Sequence, residues 1–408
     1  MQKFKKYFLY LLYLPFSSLT FLIIIFLSPF YKIRLGTVDF GRMGETYPLD
    51  WHISEKQNNV ELFFDIFFVS NSTGNLNKTL YNLFKKKIYL SQSYYFWNIT
   101  FNLLKFFDFS QLLIPIYGIN YSYLEIKNKD FNKNSLKIDF RIKSILKNKK
   151  PNLIFSKNQI DYGSKFMKEI NKENLRVVCI SGRDSGYLNK YISQRDWSYH
   201  DYRNMNFDNY KKTVEYLTQN NFFVIKMGNI VEDNFIYNHK NYFDYSRSDL
   251  ISHFLDIFIP SISYFNICAD SGISCVPEYF RKPIVYVNKC YIHLIHKWCL
   301  EGSFIYKKFY SKKLNRYLKF NEIIKLDFGG NHNLDFFSKN SIILEENTQD
   351  EIFLSVNEII LRLENKWVEK DIELKLKNDF WASFGYDQLK SKNFNIAADY
   401  IINNRNLI

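Results

Sequence analysis

Three short polar segments follow apolar runs of the sequence, and their residue types could together bind a phosphate group. They are Gly182-Arg183-Asp184-Ser185, Lys226-Met227-Gly228 and Asp270-Ser271-Gly272. An arginine can donate two hydrogen bonds to a phosphate, a lysine adds a positive charge, and the first N–H groups of a helix bind anions. We therefore predict that Arg183, Lys226 and the residues around Ser271 bind the diphosphate of a nucleotide, with Asp184 orienting Arg183.

Each segment also has a purely structural interpretation. Asp270 and Ser271 could only cap the following helix, as Asp and Ser do in many proteins. Arg183 and Asp184 could form a surface ion pair, and Gly228 could serve only a turn. The shared position of the three segments, each at the end of an apolar run, favours the binding interpretation.

The elements that position these segments form an alternating pattern of strands and helices. Apolar runs at 175–180, 222–227, 264–269 and 284–288 alternate with helical patterns at 208–219, 249–259 and 271–280. Such alternation predicts a parallel sheet, in which the carboxyl ends of neighbouring strands meet at one edge. A similar pattern begins with the runs 32–38 and 62–70. We therefore predict an α/β chain of two Rossmann-like lobes that face a central cleft.

The predicted boundaries follow from these patterns. Residues 32–155 form the first lobe, with a polar linker or insertion at 127–152, and residues 156–370 form the second lobe. Thr348 and Glu351 are predicted to form a capping box at the start of a helix. Residues 371–408 are predicted to form helices that could pack back on the first lobe.

The first 31 residues form a hydrophobic segment that we predict to associate with a membrane. Residues 7–31 carry no charge and are flanked by lysines, and such a segment is long enough to cross a bilayer. Pro15, Ser17, Ser18 and Thr20 weaken an uninterrupted span, so a span, an interfacial hairpin or helix, and a signal peptide all remain open. We predict a body on the cytoplasmic face of a bacterial inner membrane, attached peripherally or by one span.

Charge and cysteine content exclude some function classes. The chain has 55 Lys and Arg against 41 Asp and Glu, a net charge of +14, but the excess is spread out and no nucleic-acid motif accompanies it.

The five cysteines contain no C-x-x-C pair and are predicted to be reduced core thiols. His293 and His296 lie near Cys290 and Cys299 without a matching second ligand pair. We predict no metal, no cofactor and no nucleic-acid partner.

Several motifs resemble a family of bacterial glycosyltransferases associated with surface-carbohydrate gene clusters. The resemblance runs in order through the second predicted lobe and fades in the first. It is carried above all by Gly182-Arg183-Asp184-Ser185, the long segment 196–204 (Asp-Trp-Ser-Tyr-His-Asp-Tyr-Arg-Asn), Val224-Ile225-Lys226-Met227-Gly228 and Phe280-Arg281-Lys282-Pro283.

The resemblance implies a GT-B-like transferase with the nucleotide-sugar donor on the second lobe and a glycan or lipid-linked acceptor on the first. The catalytic base is then expected in the first loop of the first lobe, where Asp39 and Glu45 are the candidates. In the family Gly44 is often followed by histidine, whereas this chain has Glu45. His200 is expected close to the donor, or else as a structural anchor of its loop.

Two other function classes remain open. A nucleotide-sugar epimerase or hydrolase of the same fold would use a similar phosphate site but would need no membrane anchor. A membrane-attached scaffold of a polysaccharide assembly system would have no catalytic activity, and changes in the phosphate-binding segments would not affect it. Fold alone does not decide between these classes.

Overall fold

The computed structural model describes residues 2–56, 63–114, 146, 150–194, 196–269, 271–291, 299–326, 334–383 and 393–408. The chain divides into two compact units. The first unit contains the described residues between 2 and 114 and residues 152–154, and the second unit contains residues 146, 150 and 151 and the described residues between 155 and 408. Most of the predicted linker 127–152 lies outside the described residues.

The first unit is built on a three-stranded parallel sheet with the order β1-β2-β3. Its strands are β1 (Lys32–Asp39), β2 (Phe63–Ser70) and β3 (Tyr89–Ser91), and its helices are α1 (Gln2–Leu27), α2 (Tyr47–Lys56), α3 (Lys78–Lys85) and α4 (Tyr94–Phe106). The α3 helix begins where the Asn77 side chain accepts a hydrogen bond from the Leu80 N–H, which is a standard helix cap. The predicted parallel α/β character of this region is confirmed.

The second unit contains a seven-stranded parallel sheet. Its first six strands in the chain are β4 (Arg176–Ser181), β5 (Phe222–Met227), β6 (Tyr242–Asp244), β7 (Phe265–Cys268), β8 (Ile284–Lys289) and β9 (Gly302–Tyr306). From one edge the spatial order is β6-β5-β4-β7-β8-β9, which is the 3-2-1-4-5-6 order of doubly wound dinucleotide-binding folds. Every residue of β5 and of β8 is buried, so both faces of the sheet are covered, as expected for an all-parallel sheet.

The helices of this unit up to residue 363 are α5 (Lys157–Ile170), α6 (Gly186–Tyr191), α7 (Lys211–Gln219), α8 (Leu255–Ile262), α9 (Cys275–Tyr279), α10 (Phe320–Lys325), α11 (Leu334–Lys339) and α12 (Gln349–Leu363). Phe166 and Met167 of α5 and Phe258 of α8 share one core cluster with Cys179 of β4 and Ile225 of β5.

The capping box predicted at Thr348 is confirmed. The Thr348 hydroxyl accepts from the Glu351 N–H, and the Glu351 carboxylate accepts from the Thr348 N–H. This pair starts α12.

The C-terminal residues complete the second unit. Residues 371–408 form α13 (Asp371–Ser383), β13 (Phe394–Ile396) and α14 (Ala398–Asn403), and β13 pairs with β9 as the last strand of the large sheet. Buried carboxylates of Glu358 and Glu373 bind Arg362 and Lys377, which ties α12 to α13. A separate antiparallel sheet has the order β11 (Arg316–Tyr317), β10 (Lys308–Ser311), β12 (Ile342–Glu345).

Candidate functional site

The strand order of the large sheet reverses between β4 and β7, and this position marks the candidate binding site. The chain proceeds from β4 outward through β5 and β6, then returns to the other side of β4 as β7. Loops leaving the carboxyl ends of two such strands separate to opposite faces and leave a crevice, where doubly wound folds bind nucleotides. Ser181 ends β4 and is in register with Cys268, which ends β7.

The two strand ends are joined by hydrogen bonds, so the loops start side by side. The Ser181 hydroxyl donates to the Cys268 sulfur over 3.3 Å, and the Ala269 N–H donates to the Ser181 carbonyl over 3.0 Å. The β5 strand pairs with β4 on its other side, with Met227 opposite Ser181. The structure therefore places the loops after β4, β5 and β7 along one edge of the sheet.

The loop 182–185 is held in place on several sides. The Asp184 carboxylate accepts hydrogen bonds from the Gly186 N–H and the Glu232 N–H at 3.0 and 2.7 Å. Burial raises the pKa of Asp184, although these two hydrogen bonds act in the opposite direction. Asp184 therefore fixes the backbone of the loop that carries Arg183, a half-buried residue whose carbonyl accepts from the Met205 N–H.

The loop after β7 differs from the predicted helix 271–280. The structure has one 3-10 turn, Gly272–Ser274, followed by the five-residue α9. Pro277 has no N–H, so the carbonyl of Ile273 cannot receive the hydrogen bond that an α-helix would need there. The turn Gly272–Ser274 is therefore a 3-10 turn and not the first turn of an α-helix. A helix this short has a weak dipole, so the first N–H groups of the 3-10 turn, at Gly272 and Ile273, are the candidate anion donors among the described residues of this loop. Asp270, also predicted for this site, lies outside the described residues.

Lys226 is occupied by carboxylates within its own unit. Its side chain is 1% exposed, and its Nζ lies 2.6 Å from Asp233 and 3.6 Å from Asp244. The same nitrogen lies 4.4 Å from the centre of the Phe207 ring. Because the two carboxylates already neutralise the charge of Lys226 in the core, Lys226 has no role in the phosphate site proposed below. The adjacent Gly228 packs closely, since an added Cβ would lie 2.8 Å from Val231.

The segment that contains His200 lies along the same carboxyl edge. It forms a 3-10 helix, Ser198–Arg203, which is attached to the ends of β8 and β9. Tyr202 shares a hydrogen bond with Tyr291 between their hydroxyls at 2.7 Å, and the buried Lys307 donates to the carbonyls of Tyr202 and Asn204. The His200 ring stacks beside Trp197 and contacts Tyr199 at 4.0 Å between ring centres.

Two asparagines form a paired contact at this edge. Asn288, the residue before the last of β8, has a φ of +54°, a conformation that asparagine tolerates better than most residues. Its N–H donates to the Asn347 side chain, and the Asn347 N–H donates to the Asn288 side chain, at 2.6 and 2.7 Å. The Asn347 amide also donates to the Tyr306 carbonyl. An asparagine at the end of an apolar run, as at Asn288, was the available sequence signal for this contact.

The two candidate bases of the first unit have different surroundings. Asp39 ends β1, and its carboxylate accepts from the N–H groups of Gly41 and Ser72 and from the Ser72 hydroxyl. These three donors hold the Asp39 carboxylate within its own loop. Glu45 lies in the 3-10 turn Met43–Thr46, with its side chain 29% exposed and its carboxylate 3.3 Å from Arg42.

A second polar cluster in the first unit was not predicted. Asp65 of β2 is bound by Arg34 at 2.7 Å, His52 at 2.9 Å and Lys56 at 3.2 Å. Burial opposes ionisation of Asp65, but hydrogen bonds and charges of His52 and Arg34 outweigh it and hold its pKa well below the usual value. Asp65 and Arg34 are the third residues of their strands, toward the amino ends, so this cluster lies away from the carboxyl edge.

Metal coordination has little support among the residues that the structure describes. They contain no group of three or more His, Cys, Asp or Glu side chains arranged to hold a metal ion. All five cysteines are free and buried, in line with the prediction of reduced core thiols. His293 and His296 lie outside the described residues.

Comparisons with known proteins give a limited result. No protein-family model and no curated protein matches the chain. Solved structures with some similarity include the UDP-GlcNAc 2-epimerase from Neisseria meningitidis bound to UDP-GlcNAc, at 9% identity and a TM-score of 0.35, covering 82% of this chain and 100% of that one. Another UDP-N-acetylglucosamine 2-epimerase has 9% identity and a TM-score of 0.30, covering 84% of this chain and 99% of that one. These TM-scores are too low to support an argument about activity.

Proposed function

We propose that this chain is an enzyme that binds a nucleotide-diphosphate sugar at the reversal between β4 and β7 and transfers the sugar to a glycan or lipid-linked acceptor. Such a step belongs to bacterial surface polysaccharide biosynthesis. The observation that supports the proposal is the 3-2-1-4-5-6 strand order, because the loop of Arg183 and the turn at Gly272 then follow the adjacent carboxyl ends of β4 and β7, where doubly wound folds bind their ligands.

In this proposal each group has a defined task. The guanidinium of Arg183 and the N–H groups of Gly272 and Ile273 stabilise the negative charge that develops on the leaving diphosphate. Asp184 keeps the Arg183 loop in place through its two backbone hydrogen bonds. Glu45 of the first unit takes the proton of the acceptor hydroxyl. His200 contributes to the donor side through its position at the carboxyl edge.

Nucleotide binding is the first test. Full-length protein is titrated calorimetrically with nucleoside diphosphates of different bases, and Arg183→Ala is compared with Arg176→Ala. Arg176 is the first residue of β4, the strand that leads to the Arg183 loop, and it pairs with Glu364 on the surface. It is therefore a matched control. Loss of a charged hydrogen bond at Arg183 should weaken binding by about 10- to 100-fold. Equal affinities of the two variants, or no binding by the folded wild type, would contradict the proposal.

Measurements of turnover then distinguish sugar transfer from the epimerase and scaffold alternatives. Transfer predicts that release of the nucleotide from its sugar rises when a glycan or lipid-linked acceptor is added, and that Glu45→Gln slows this release with unchanged nucleotide affinity. The epimerase alternative is tested with UDP-GlcNAc, which is the ligand named for the Neisseria meningitidis structure. A change of the sugar without an acceptor, followed by NMR, would identify that alternative. A scaffold would bind no nucleotide.

A further inference from the structure

One face of α1 is exposed and consists only of apolar side chains. Leu11, Leu19, Leu22 and Phe26 are exposed by 59% to 77%, and their spacing of three, four and eight residues puts them on the same side of the helix. Phe30, three residues after α1, and Phe106, the last residue of α4, are also exposed, by 83% and 80%. We call Leu11, Leu19, Leu22 and Phe26 the apolar α1 face. So many large exposed side chains on one helix indicate a surface that is covered in use.

The opposite face of α1 is fixed to the first unit. The Ser17 hydroxyl donates to the Phe96 carbonyl at 2.9 Å, and Thr100 donates to the Ser17 carbonyl. The Asn98 amide donates to the Tyr10 hydroxyl at 2.9 Å. These bonds join α1 to α4 over about two turns of helix, in addition to apolar packing.

The core of the first unit limits how α1 can meet a bilayer. By length and composition Tyr7–Leu27 is long and apolar enough to cross a membrane. However, Phe21 and Ile24 are buried in one cluster with Leu35 of β1 and Ile66 of β2. Only residues 7–20 then remain for a span, and about 14 residues of helix reach about 21 Å, short of a hydrocarbon core of about 30 Å.

Most charged residues in the sequence around α1 and α4 are positive, and the exposed Asp108 that follows α4 is an exception. No acidic residue precedes Asp39, and none lies between Asp65 and Asp108, a stretch that includes α4. Lysines 3, 5 and 6 lie at the start of α1, lysine 32 follows its end, and lysine 105 lies in the last turn of α4. Such a surface complements anionic lipid headgroups.

We propose that α1 lies in the plane of an anionic bilayer and inserts its apolar face into one leaflet without crossing it. The first unit would then be attached to the membrane through one side of α1, while the other side of α1 packs in the core of that unit. This inference does not depend on the proposed activity.

Vesicle flotation tests the lipid contact. Full-length protein is mixed with vesicles of phosphatidylglycerol and phosphatidylethanolamine, or of phosphatidylcholine alone. The double variant Leu19→Glu with Leu22→Glu should reduce binding to the anionic vesicles by at least about 100-fold. The matched control Ile236→Glu changes a side chain that is 85% exposed in the second unit, and it should float like the wild type. The proposal would be overturned if the wild type did not float and instead formed a dimer that the double variant abolished. That result would show that the apolar α1 face is a contact between two copies of the chain.

Labelling from one side of the membrane tests the in-plane orientation. Single variants Lys3→Cys and Lys32→Cys are treated with a membrane-impermeant maleimide in sealed, inverted vesicles from expressing bacteria. The five native cysteines are buried and give a low background. An in-plane helix exposes both ends on the same side, so both variants should be labelled before detergent is added. Labelling of only one variant before detergent would show a span and refute the proposal.

Discussion

Replacing Lys226 by methionine distinguishes a structural role of this lysine from a role in phosphate binding. Methionine keeps an unbranched side chain of similar length but removes the charge. The structure predicts that this change destabilises the protein and leaves nucleotide affinity unchanged, because Nζ lies 2.6 Å from Asp233 in a core position. Asp233 itself is only 10% exposed, so it would lose its main partner without gaining water.

The magnitude follows from what remains around Asp233. Removal of one partner from a buried ion pair typically costs 3–5 kcal/mol, roughly, because the other charge stays buried. Here the Arg247 guanidinium lies 3.6 Å from the same carboxylate, and the Phe235 N–H donates to it at 3.0 Å. These partners retain part of the stabilisation, so we expect a loss of about 2–3 kcal/mol.

The assay is urea unfolding of the full-length variants, followed by circular dichroism, together with calorimetric nucleotide titration. Lys240→Met is the matched control, since Lys240 is 69% exposed in its pair with Glu173 and should cost less than about 0.5 kcal/mol. The reasoning is refuted if Lys226→Met keeps wild-type stability and loses nucleotide binding. In that case Lys226 would contribute its charge to the ligand and not to the core.

Three further changes test other parts of the second unit. Burial raises the pKa of Asp256 to about 7, above its usual 3.8, so its cost to the folded state grows as pH rises from about 4 to 7. Asp256→Asn should therefore match the wild-type free energy of unfolding at pH 4 and exceed it by about 4 kcal/mol at pH 8; a constant difference would contradict this pKa. Gly302→Ala should abolish soluble expression, because φ is +135° and the new Cβ would lie 1.8 Å from the Ile284 carbonyl oxygen; a normal melting temperature would disprove that contact. Thr348→Ala should cost about 1 kcal/mol of unfolding free energy in urea through loss of the α12 cap, whereas an unchanged midpoint would show the cap to be dispensable.

The buried parallel strands could be predicted well from the sequence. The β5 strand was predicted at its exact bounds, and β4 was predicted one residue early. A strand covered on both faces appears as a continuous apolar run, and few other elements share that pattern. The short β13 and the strand β9, which begins at Gly302, were not predicted because neither has such a run.

The candidate site could be predicted only in part. The edge on which the loops meet followed from the alternation of strands and helices, but the partners of Lys226 did not. Asp233 and Asp244 reach it from a loop and from the next strand, and a lysine at a strand end has the same sequence pattern with or without such partners. A lysine between two buried residues is usually paired, and that general rule was the available signal. The split of the predicted helix after β7 could have been anticipated from Pro277.

The position of β13 has a consequence for incomplete chains. This three-residue strand covers the open edge of β9. An exposed strand edge offers unpaired N–H and C=O groups to any other strand that meets it. A chain cut short before residue 394 would therefore present β9 to other copies of itself. Premature termination or clipping near the C-terminus should then produce aggregates joined edge to edge, even where the remaining sheet is folded.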